Sequence, residues 1–168
     1  MSAADGKNGR YGVHFLDDLR EGQRFVSQSR TITETDVVNF AGLSGDYNQI
    51  HTDAEFARSS GYGQRVVYGL LGLSVATGLL DRTGVFSGSA IAMLGISSWK
   101  FTAPVFIGDT LTLELTILAV HPSRSKPDRG VVERLFELKN QHGKVVQTGH
   151  IDILVRTSPT GAAAAGTD

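Results

Sequence analysis

The chain has 168 residues, 40% of them hydrophobic, and its 16 basic side chains nearly balance its 17 acidic ones. This length fits one domain with a real apolar core. The balanced charge gives no electrostatic reason to expect a nucleic-acid partner. The absence of cysteine excludes disulfides, thiolate metal sites and a cysteine nucleophile. The N-terminus lacks the apolar stretch of a signal peptide and no run would span a membrane, so we expect a cytoplasmic protein.

Both ends of the chain differ in composition from its body. Residues 1–10 are small and polar, and residues 157–168 are rich in Pro, Gly, Ala and Thr without periodicity. Neither segment carries enough apolar surface to order itself. We therefore predict a flexible N-terminal tail over 1–10, one domain over 11–156, and a disordered C-terminal tail over 157–168.

The first half of the domain predicts one strand followed by two short helices. The strand covers roughly residues 23–31. A capping box at residues 33–36 introduces the first helix, which Gly45 ends. A second capping box at residues 52–55 introduces the other helix, which stops at residues 60–61.

The second half predicts one buried helix and four strands. Residues 69–80 are almost wholly apolar or small, and a helix that is apolar on all sides is a buried helix. The strand-like runs lie near residues 91–103, 110–120, 130–139 and 145–156, with a hairpin-type turn at 140–143. Helices collected on one face of an antiparallel sheet give an α+β domain, and the simplest packing wraps one curved sheet around the buried helix.

The residues with catalytic potential lie in the connection between the two short helices. Asp46 follows the first helix, and His51 directly precedes the second capping box. The connection is too short for the two side chains to lie far apart if the loop folds back. A carboxylate and an imidazole that share one water are suited to general acid–base chemistry near neutral pH. By spacing alone, an ordinary turn is the more common reading, with Asp46 as a turn residue, Asn48 as an Asx-turn residue and His51 as a surface residue packed at a helix start.

The wider sequence around these residues is more specific. Residues 44–53 read SGDYNQIHTD, residues 63–71 read GQRVVYGLL, and residues 101–105 and 108–110 read FTAPV and GDT. Together these segments resemble the MaoC-like, or type-2 (R)-specific, enoyl-CoA hydratases over about residues 25–156. The resemblance implies a hotdog fold, which agrees with the order of elements above. It also implies a hydro-lyase that reversibly hydrates a 2-enoyl-CoA to an (R)-3-hydroxyacyl-CoA.

The resemblance assigns roles to individual residues. Asp46 and His51 match the catalytic acid–base pair of the family, and Asn48 matches a residue that shapes the loop and orients the pair. Gly69 matches the position whose backbone N–H holds the thioester oxygen, a role for which a helix start offers free donors. Tyr68 is expected either to line the acyl pocket or to fill core volume.

No cofactor and no metal are expected. The five histidines have no ligand-like spacing with a second histidine or an acid on one helix, and no G-x-G-x-x-G or P-loop sequence occurs.

The phosphates of coenzyme A require basic partners. Arg124, Lys126 and Arg129 in the predicted loop 121–130 are either such contacts or ordinary solvated side chains.

Other functions stay open at this point. Hotdog thioesterases place an acid or amide on or just before the central helix, whereas residues 69–80 contain none. A non-catalytic acyl-thioester-binding protein has no need of the pair, although Gln49 stands where the family usually has a rigid proline. A third reading is one subunit of a hydratase with two different chains. Hotdog proteins of this kind generally pair through a continuous sheet, so we expect at least a homodimer acting on an acyl-CoA, with no membrane partner.

Overall fold

A computed structural model of the protein describes residues 11–159. The chain begins with a 3₁₀ turn at Leu16–Asp18. The remaining elements are β1 (Arg24–Val26), β2 (Arg30–Thr31), α1 (Glu34–Ser44), α2 (Gln49–Thr52), α3 (Ala54–Ser59), α4 (Gly69–Thr83), β3 (Ala90–Phe101), β4 (Thr110–Pro122), β5 (Arg129–Lys139) and β6 (Val145–Arg156). Within the described residues, no helix is both long enough and apolar enough to cross a membrane.

All the strand pairs are antiparallel, and the main sheet has the order β1-β4-β5-β6-β3, with β2 also paired to β4. In β4 and β5 every second side chain is buried through most of the strand. This alternation gives the sheet one core face. The curved sheet packs that face against α4, so the predicted α+β architecture is confirmed.

Helix α4 buries one face against the sheet and leaves the other accessible. Leu71, Val75 and Leu79 are buried at helical spacing. Leu70, by contrast, is 61% exposed. The prediction that this helix is buried on all sides is therefore wrong, although the predicted start at Gly69 is confirmed. The apolar side chains of α4 thus lie in two different surroundings. One set packs into the core, and Leu70 lines an exposed cavity that also includes Phe101 of β3.

The predicted strand over residues 23–31 is interrupted. Its two halves, β1 and β2, both pair with β4, but residues 27–29 leave the ladder. At the break, the Leu113 N–H donates to the Ser27 hydroxyl at 2.9 Å, and the Ser27 N–H donates to the Leu113 carbonyl at 2.9 Å. A serine hydroxyl that competes for a backbone donor bends the strand at that point.

One of the two predicted capping boxes is present. Thr33 and Asp36 cap α1 reciprocally, and Gly45 ends that helix with φ +73°. The second box is wrong: Asp53, not Thr52, caps α3, because its carboxylate accepts the N–H groups of Glu55 and Phe56 at 2.9 Å each. The Thr52 hydroxyl instead donates to the carbonyls at the start of α2, a short helix that the sequence did not predict.

The packed chain continues past residue 156. The Thr157 N–H donates to the Asp128 carbonyl at 2.9 Å, and the Ser158 N–H and hydroxyl donate to the Asp17 carboxylate at 2.8 and 2.5 Å. The first residues of the predicted C-terminal tail are thus tied to the domain. The predicted tails over 1–10 and 160–168 lie outside the described residues.

Close packing between β6 and β3 predicts a specific instability. A Cβ atom added at Gly149 would lie 2.5 Å from Trp99 Cε3 and 2.7 Å from the Trp99 Cα. Because the second contact is with backbone, β3 must shift to accept it. We expect Gly149→Ala to lower the free energy of unfolding by about 1–3 kcal/mol in urea denaturation.

The matched control is Gly42→Ala in the last turn of α1, where an added Cβ meets nothing within 4 Å. We expect this control to be stabilised by about 0.5–1 kcal/mol, because alanine favours helix over glycine. Equal stabilities for Gly149→Ala and the wild type would contradict the close β6–β3 approach.

Candidate active site

The loop between α1 and α2 is held by two consecutive side chain to backbone hydrogen bonds. Asp46 Oδ1 accepts the N–H of Asn48 at 3.1 Å, and Asn48 Oδ1 accepts the N–H of Ile50 at 3.2 Å. The second bond makes Asn48 the N-cap of α2. Asn48 therefore contributes to the loop conformation through a hydrogen bond on each side of Gln49.

His51 is oriented by one short hydrogen bond. Its Nδ1 lies 2.6 Å from the carbonyl oxygen of Val66. Because a carbonyl oxygen only accepts, Nδ1 carries the proton in this contact. The neutral ring then has its lone pair on Nε2, and Nε2 makes no hydrogen bond to any described residue. His51 is thus held in the tautomer that can accept a proton at Nε2.

Tyr68 connects His51 with Asp46. The Tyr68 ring is buried, and its centroid lies 3.9 Å from that of His51. The centroid of the Phe40 ring, on α1, lies 5.1 Å from that of Tyr68. The Tyr68 hydroxyl donates to the Asp46 carbonyl oxygen at 2.6 Å. Burial, together with the charges of Asp46 and Tyr47, raises the pKa of Tyr68. The phenol therefore stays protonated and remains a hydrogen-bond donor.

The start of α4 presents an unused donor. Tyr68 is the N-cap residue, but its side chain makes no capping bond to the helix. The N–H of Gly69 likewise makes no hydrogen bond within residues 11–159. A free N–H at a helix start, with the partial positive charge of the helix dipole, attracts a developing negative charge. An added Cβ at Gly69 would lie 2.7 Å from Phe101 Cε1, so glycine lets that ring lie against the helix start.

A cavity of about 550 Å³ brings His51 and Gly69 together. Tyr62, Leu70 and Phe101 supply apolar wall area around these two polar groups. This combination of an apolar cleft with a few directed polar groups is typical of small-molecule sites. Within residues 11–159, no three or more His, Asp or Glu side chains are arranged to hold a metal ion.

The remaining predicted residues do not line this cavity. Asp46 and Asn48 are exposed and are not among the residues that line it, and Asp46 Oδ2 has no partner among the described residues. Tyr68 lies behind His51 rather than in the cavity wall. Tyr68 is 3% exposed, which supports the expectation that it fills core volume rather than lining the acyl pocket.

The basic loop lies far from the cavity within one chain. Arg124, Lys126 and Arg129 belong to the β4–β5 connection, and Arg129 forms a bidentate pair with Asp128 at 2.7 and 2.9 Å. Along β5, Arg129 is nine residues from Leu138, which pairs with the cavity residue Gln147. Nine residues of strand span about 30 Å. The loop is therefore too far from the cavity of its own chain to contact the phosphates of a coenzyme A bound there.

Gln147 is a cavity residue that the sequence reasoning missed. It is 2% exposed, its Nε2 donates to the Gly69 carbonyl at 3.1 Å, and its Oε1 accepts from Trp99 Nε1 at 3.3 Å. It therefore ties the start of α4 to the sheet. The available signal was a polar residue at an inward position of β6, in phase with the buried Ile151 and Ile153.

Comparison of the structure with solved proteins confirms the fold. A protein from Mycobacterium tuberculosis described as having a double hotdog fold superimposes with a TM-score of 0.73 at 16% identity, covering 88% of this chain and 45% of that one. A MaoC-like dehydratase from Rhodospirillum rubrum superimposes with a TM-score of 0.79 at 33% identity, covering 87% of this chain and 99% of that one. The single described domain is thus a hotdog fold.

Sequence comparisons define the family. The MaoC like domain family matches residues 19–136, and the protein belongs to this family. It is 39% identical over 102 residues to Protein MaoC of Klebsiella aerogenes, which covers 61% of this chain but only 30% of that protein. It is 34% identical over 112 residues to the (R)-specific enoyl-CoA hydratase of Rhodospirillum rubrum, covering 67% of this chain and 75% of that one. The predicted family resemblance is confirmed.

The raised pKa of Tyr68 predicts a stability difference at alkaline pH. Because folding strengthens proton binding by Tyr68, its contribution to stability is complete below pH about 10 and is lost as the pH rises through the folded pKa. Tyr68→Phe removes this ionisation. We expect the free energy of unfolding to fall less steeply above pH about 10 in Tyr68→Phe than in the wild type, in urea denaturation series.

The control for this measurement is Tyr62→Phe, because Tyr62 is 54% exposed. Its pH dependence should match that of the wild type. Parallel curves for Tyr68→Phe and the wild type would show that the environment of Tyr68 does not disfavour its ionised form.

Proposed function

We propose that the protein catalyses the reversible (R)-specific hydration of a 2-enoyl-CoA to a 3-hydroxyacyl-CoA. The observation that carries the proposal is one cavity that is lined by both His51 and Gly69. Nε2 of His51 and the N–H of Gly69 both lack hydrogen-bond partners among the described residues. Membership of the MaoC-like family and the similarity to an (R)-specific enoyl-CoA hydratase support the reaction class.

In the proposed reaction, His51 acts first as base and then as acid. Nε2 of His51 takes a proton from water as the water oxygen attacks C3 of the enoyl group. The imidazolium then returns one proton to C2 on the same side, so the ring ends as it began. Its Nδ1–H, bound to the Val66 carbonyl, keeps the ring oriented throughout and makes Nε2 the nitrogen that takes up and returns the proton.

Asp46 is proposed to hold the attacking water. Its Oδ2 has no described partner, and its main chain is bound by the Tyr68 hydroxyl, whose ring packs on His51. A carboxylate that accepts one hydrogen of the water directs an oxygen lone pair toward C3 and stabilises the imidazolium by its charge. Asn48 supports this role by holding the other carboxylate oxygen through its N–H.

Gly69 is proposed to stabilise the enolate-like oxygen. Attack at C3 moves negative charge onto the thioester oxygen, and the uncapped N–H at the start of α4 is a donor suited to that charge. The hydrogen bond from Gln147 to the Gly69 carbonyl holds the helix start in place without occupying the N–H.

Hydrolysis of the thioester is less well supported. The sequence of α4 contains no Glu, Asn or Gln, and its one acid, Asp81, stands twelve residues after Gly69. That distance corresponds to about 18 Å along a helix. No carboxylate on the helix is therefore near enough to direct water at a thioester carbon held by Gly69.

The proposal includes a homodimer formed through the β3 edge. Met93, Leu94, Ile96 and Phe101 are each about half exposed on this edge strand. An apolar edge strand with free backbone groups is unusual in a monomer, because it invites pairing with another strand. Phe101 also borders the cavity, so a second copy at this edge would shield the reacting groups from solvent.

The catalytic roles predict separate losses. We expect Asp46→Asn and His51→Gln each to slow hydration of crotonyl-CoA at least about a hundredfold, because each removes a group that binds or deprotonates the water. The decay of the conjugated enoyl-thioester absorbance measures the rate, and chiral analysis should give the (R)-alcohol. The control is His142→Gln, which changes an exposed histidine in the β5–β6 turn.

Two outcomes would contradict this proposal. Full activity in Asp46→Asn or His51→Gln would remove that residue from the mechanism. Release of free thiol by the wild type, without loss of the double bond, would identify a thioesterase instead.

The proposed dimer interface predicts that a charged side chain introduced on the β3 edge will prevent dimer formation. We expect Ile96→Glu to convert the dimer to a monomer in sedimentation velocity, because pairing at the β3 edge would bury the introduced carboxylate without a partner. The control is Val38→Glu, which places the same charge at an exposed apolar position on α1. Unchanged sedimentation of Ile96→Glu would exclude this edge as the interface.

A further inference from the structure

A second, smaller cavity of about 200 Å³ lies beside the C-terminal half of α4, where the helix faces β3, β5 and β6. Thr77, Leu80 and Met93 contribute to its wall, together with the aromatic ring of Phe136. None of these residues belongs to the cavity of His51 and Gly69. The walls are mainly apolar, but the cavity also contains one buried cation.

Arg134, on β5, is that cation. It is 2% exposed, and its Nε donates to the Ile151 carbonyl at 2.9 Å. Its guanidinium carbon lies 5.1 Å from the ring centre of Phe86 and 5.2 Å from that of Phe136. Nη1 is buried without a hydrogen-bond partner, and no carboxylate among residues 11–159 forms an ion pair with the side chain.

This arrangement is costly unless a ligand completes it. Burial lowers the pKa of Arg134 to about 10, although the charge of Asp152 opposes the shift, so the side chain remains protonated at neutral pH. A buried charge without a directly bonded counter-charge destabilises a fold. The unpartnered Nη1 of Arg134, a residue that lines this cavity, points to a polar ligand group there.

We propose that this cavity binds the terminal carboxylate of an acyl chain, and that the substrates are therefore enoyl thioesters with a carboxylate at the far end of the acyl group. The guanidinium is a planar fork whose free N–H groups match the two oxygens of a carboxylate. The two aromatic rings position the fork and exclude water, which strengthens the pairing. The acid in the wall, Asp81, is exposed, so its repulsion is screened by solvent.

The position of the cavity limits the length of the acyl chain. This inference rests on the proposed function, in which the thioester oxygen lies at Gly69. Thr77, in the wall of the second cavity, follows Gly69 by eight residues, or about 12 Å along the helix. Leu70, which lines the first cavity, shares an exposed face of the helix with Ser74 and Gly78, and this face runs in the direction of Thr77. A medium-length acyl chain along this face joins Gly69 to Arg134, whereas a short chain does not reach the arginine.

A carboxylate from a second copy is the competing occupant. Met93 and Ala90 line the cavity and belong to the β3 edge, through which the dimer is proposed to form. If the partner supplied the counter-charge, Arg134 would stabilise the dimer and would have no influence on the choice of substrate. The two cases differ in what the loss of Arg134 changes.

The test compares three 2-enoyl-CoA substrates of the same medium length whose chains end in a carboxylate, its methyl ester or a methyl group. For the wild type we expect kcat/KM for the carboxylate to exceed the other two values at least about tenfold, because a buried polar site rejects analogues that leave it unpaired. Arg134→Met should abolish or reverse this preference, and Arg134→Lys should keep part of it. The control is Arg20→Met, at an exposed arginine outside both cavities.

Crotonyl-CoA separates this inference from the proposed function. Its chain is too short to reach Arg134, so Arg134→Met should hydrate it at the wild-type rate. Absence of crotonyl-CoA hydration in the wild type would overturn the proposed function itself. Hydration of crotonyl-CoA without preference among the three longer substrates would overturn only the carboxylate site.

Measurements of stability and assembly complete the test. Arg134→Met should keep or raise the Tm, because an apolar side chain of similar volume removes an unpaired buried charge. It should also sediment as the wild type does. Dissociation into monomers, with equal losses for all substrates, would assign Arg134 to the dimer interface and overturn the proposal. If Arg134→Met does not fold, the substrate preference of the wild type and of Arg134→Lys decides the question.

Discussion

The hydrogen bond from the Tyr68 hydroxyl to the Asp46 carbonyl is the constraint on which the site depends. It joins two segments that lie 22 residues apart, the loop before α2 and the start of α4. The Tyr68 side chain makes no capping bond to α4, and the N–H of Gly69, the first residue of that helix, has no partner within residues 11–159. The same ring supports His51 from behind. One side chain thus contacts both Asp46 and His51, directly before the start of α4.

Close approach of α4 to the sheet is the second requirement. An added Cβ at Gly72 would lie 2.1 Å from Gln147 Nε2, so glycine at this position lets the amide of β6 pass the helix and reach Gly69. Gly149 likewise allows β6 to lie close to Trp99 of β3. Both glycines act through the space that their missing side chains leave. The approach of α4 to β6 and of β6 to β3 therefore depends on these two positions having no Cβ atom.

Much of the fold could be predicted from local patterns. The bounds of β6, the cap of α1 at Thr33, the αL ending at Gly45 and the start of α4 at Gly69 all follow from periodicity or capping chemistry within a few residues. The errors occur where two local options compete. Asp53 replaces Thr52 as the cap of α3 because both side chains can accept from nearby N–H groups. Ser27 interrupts the first strand for a similar reason.

The sequence by itself determined the family, the order of elements and the candidate acid–base pair, because those signals lie within short continuous segments such as residues 44–53. Only the tertiary structure decided that Tyr68 lies behind His51, that Gln147 holds Gly69 across 78 residues, and that the basic loop is remote from the cavity. It also decided that Arg134 is buried beside a second cavity. The physical reason is that each of these facts is a contact, or a lack of contact, between residues distant in the chain. Such relations depend on sheet register and helix rotation, which no local pattern specifies.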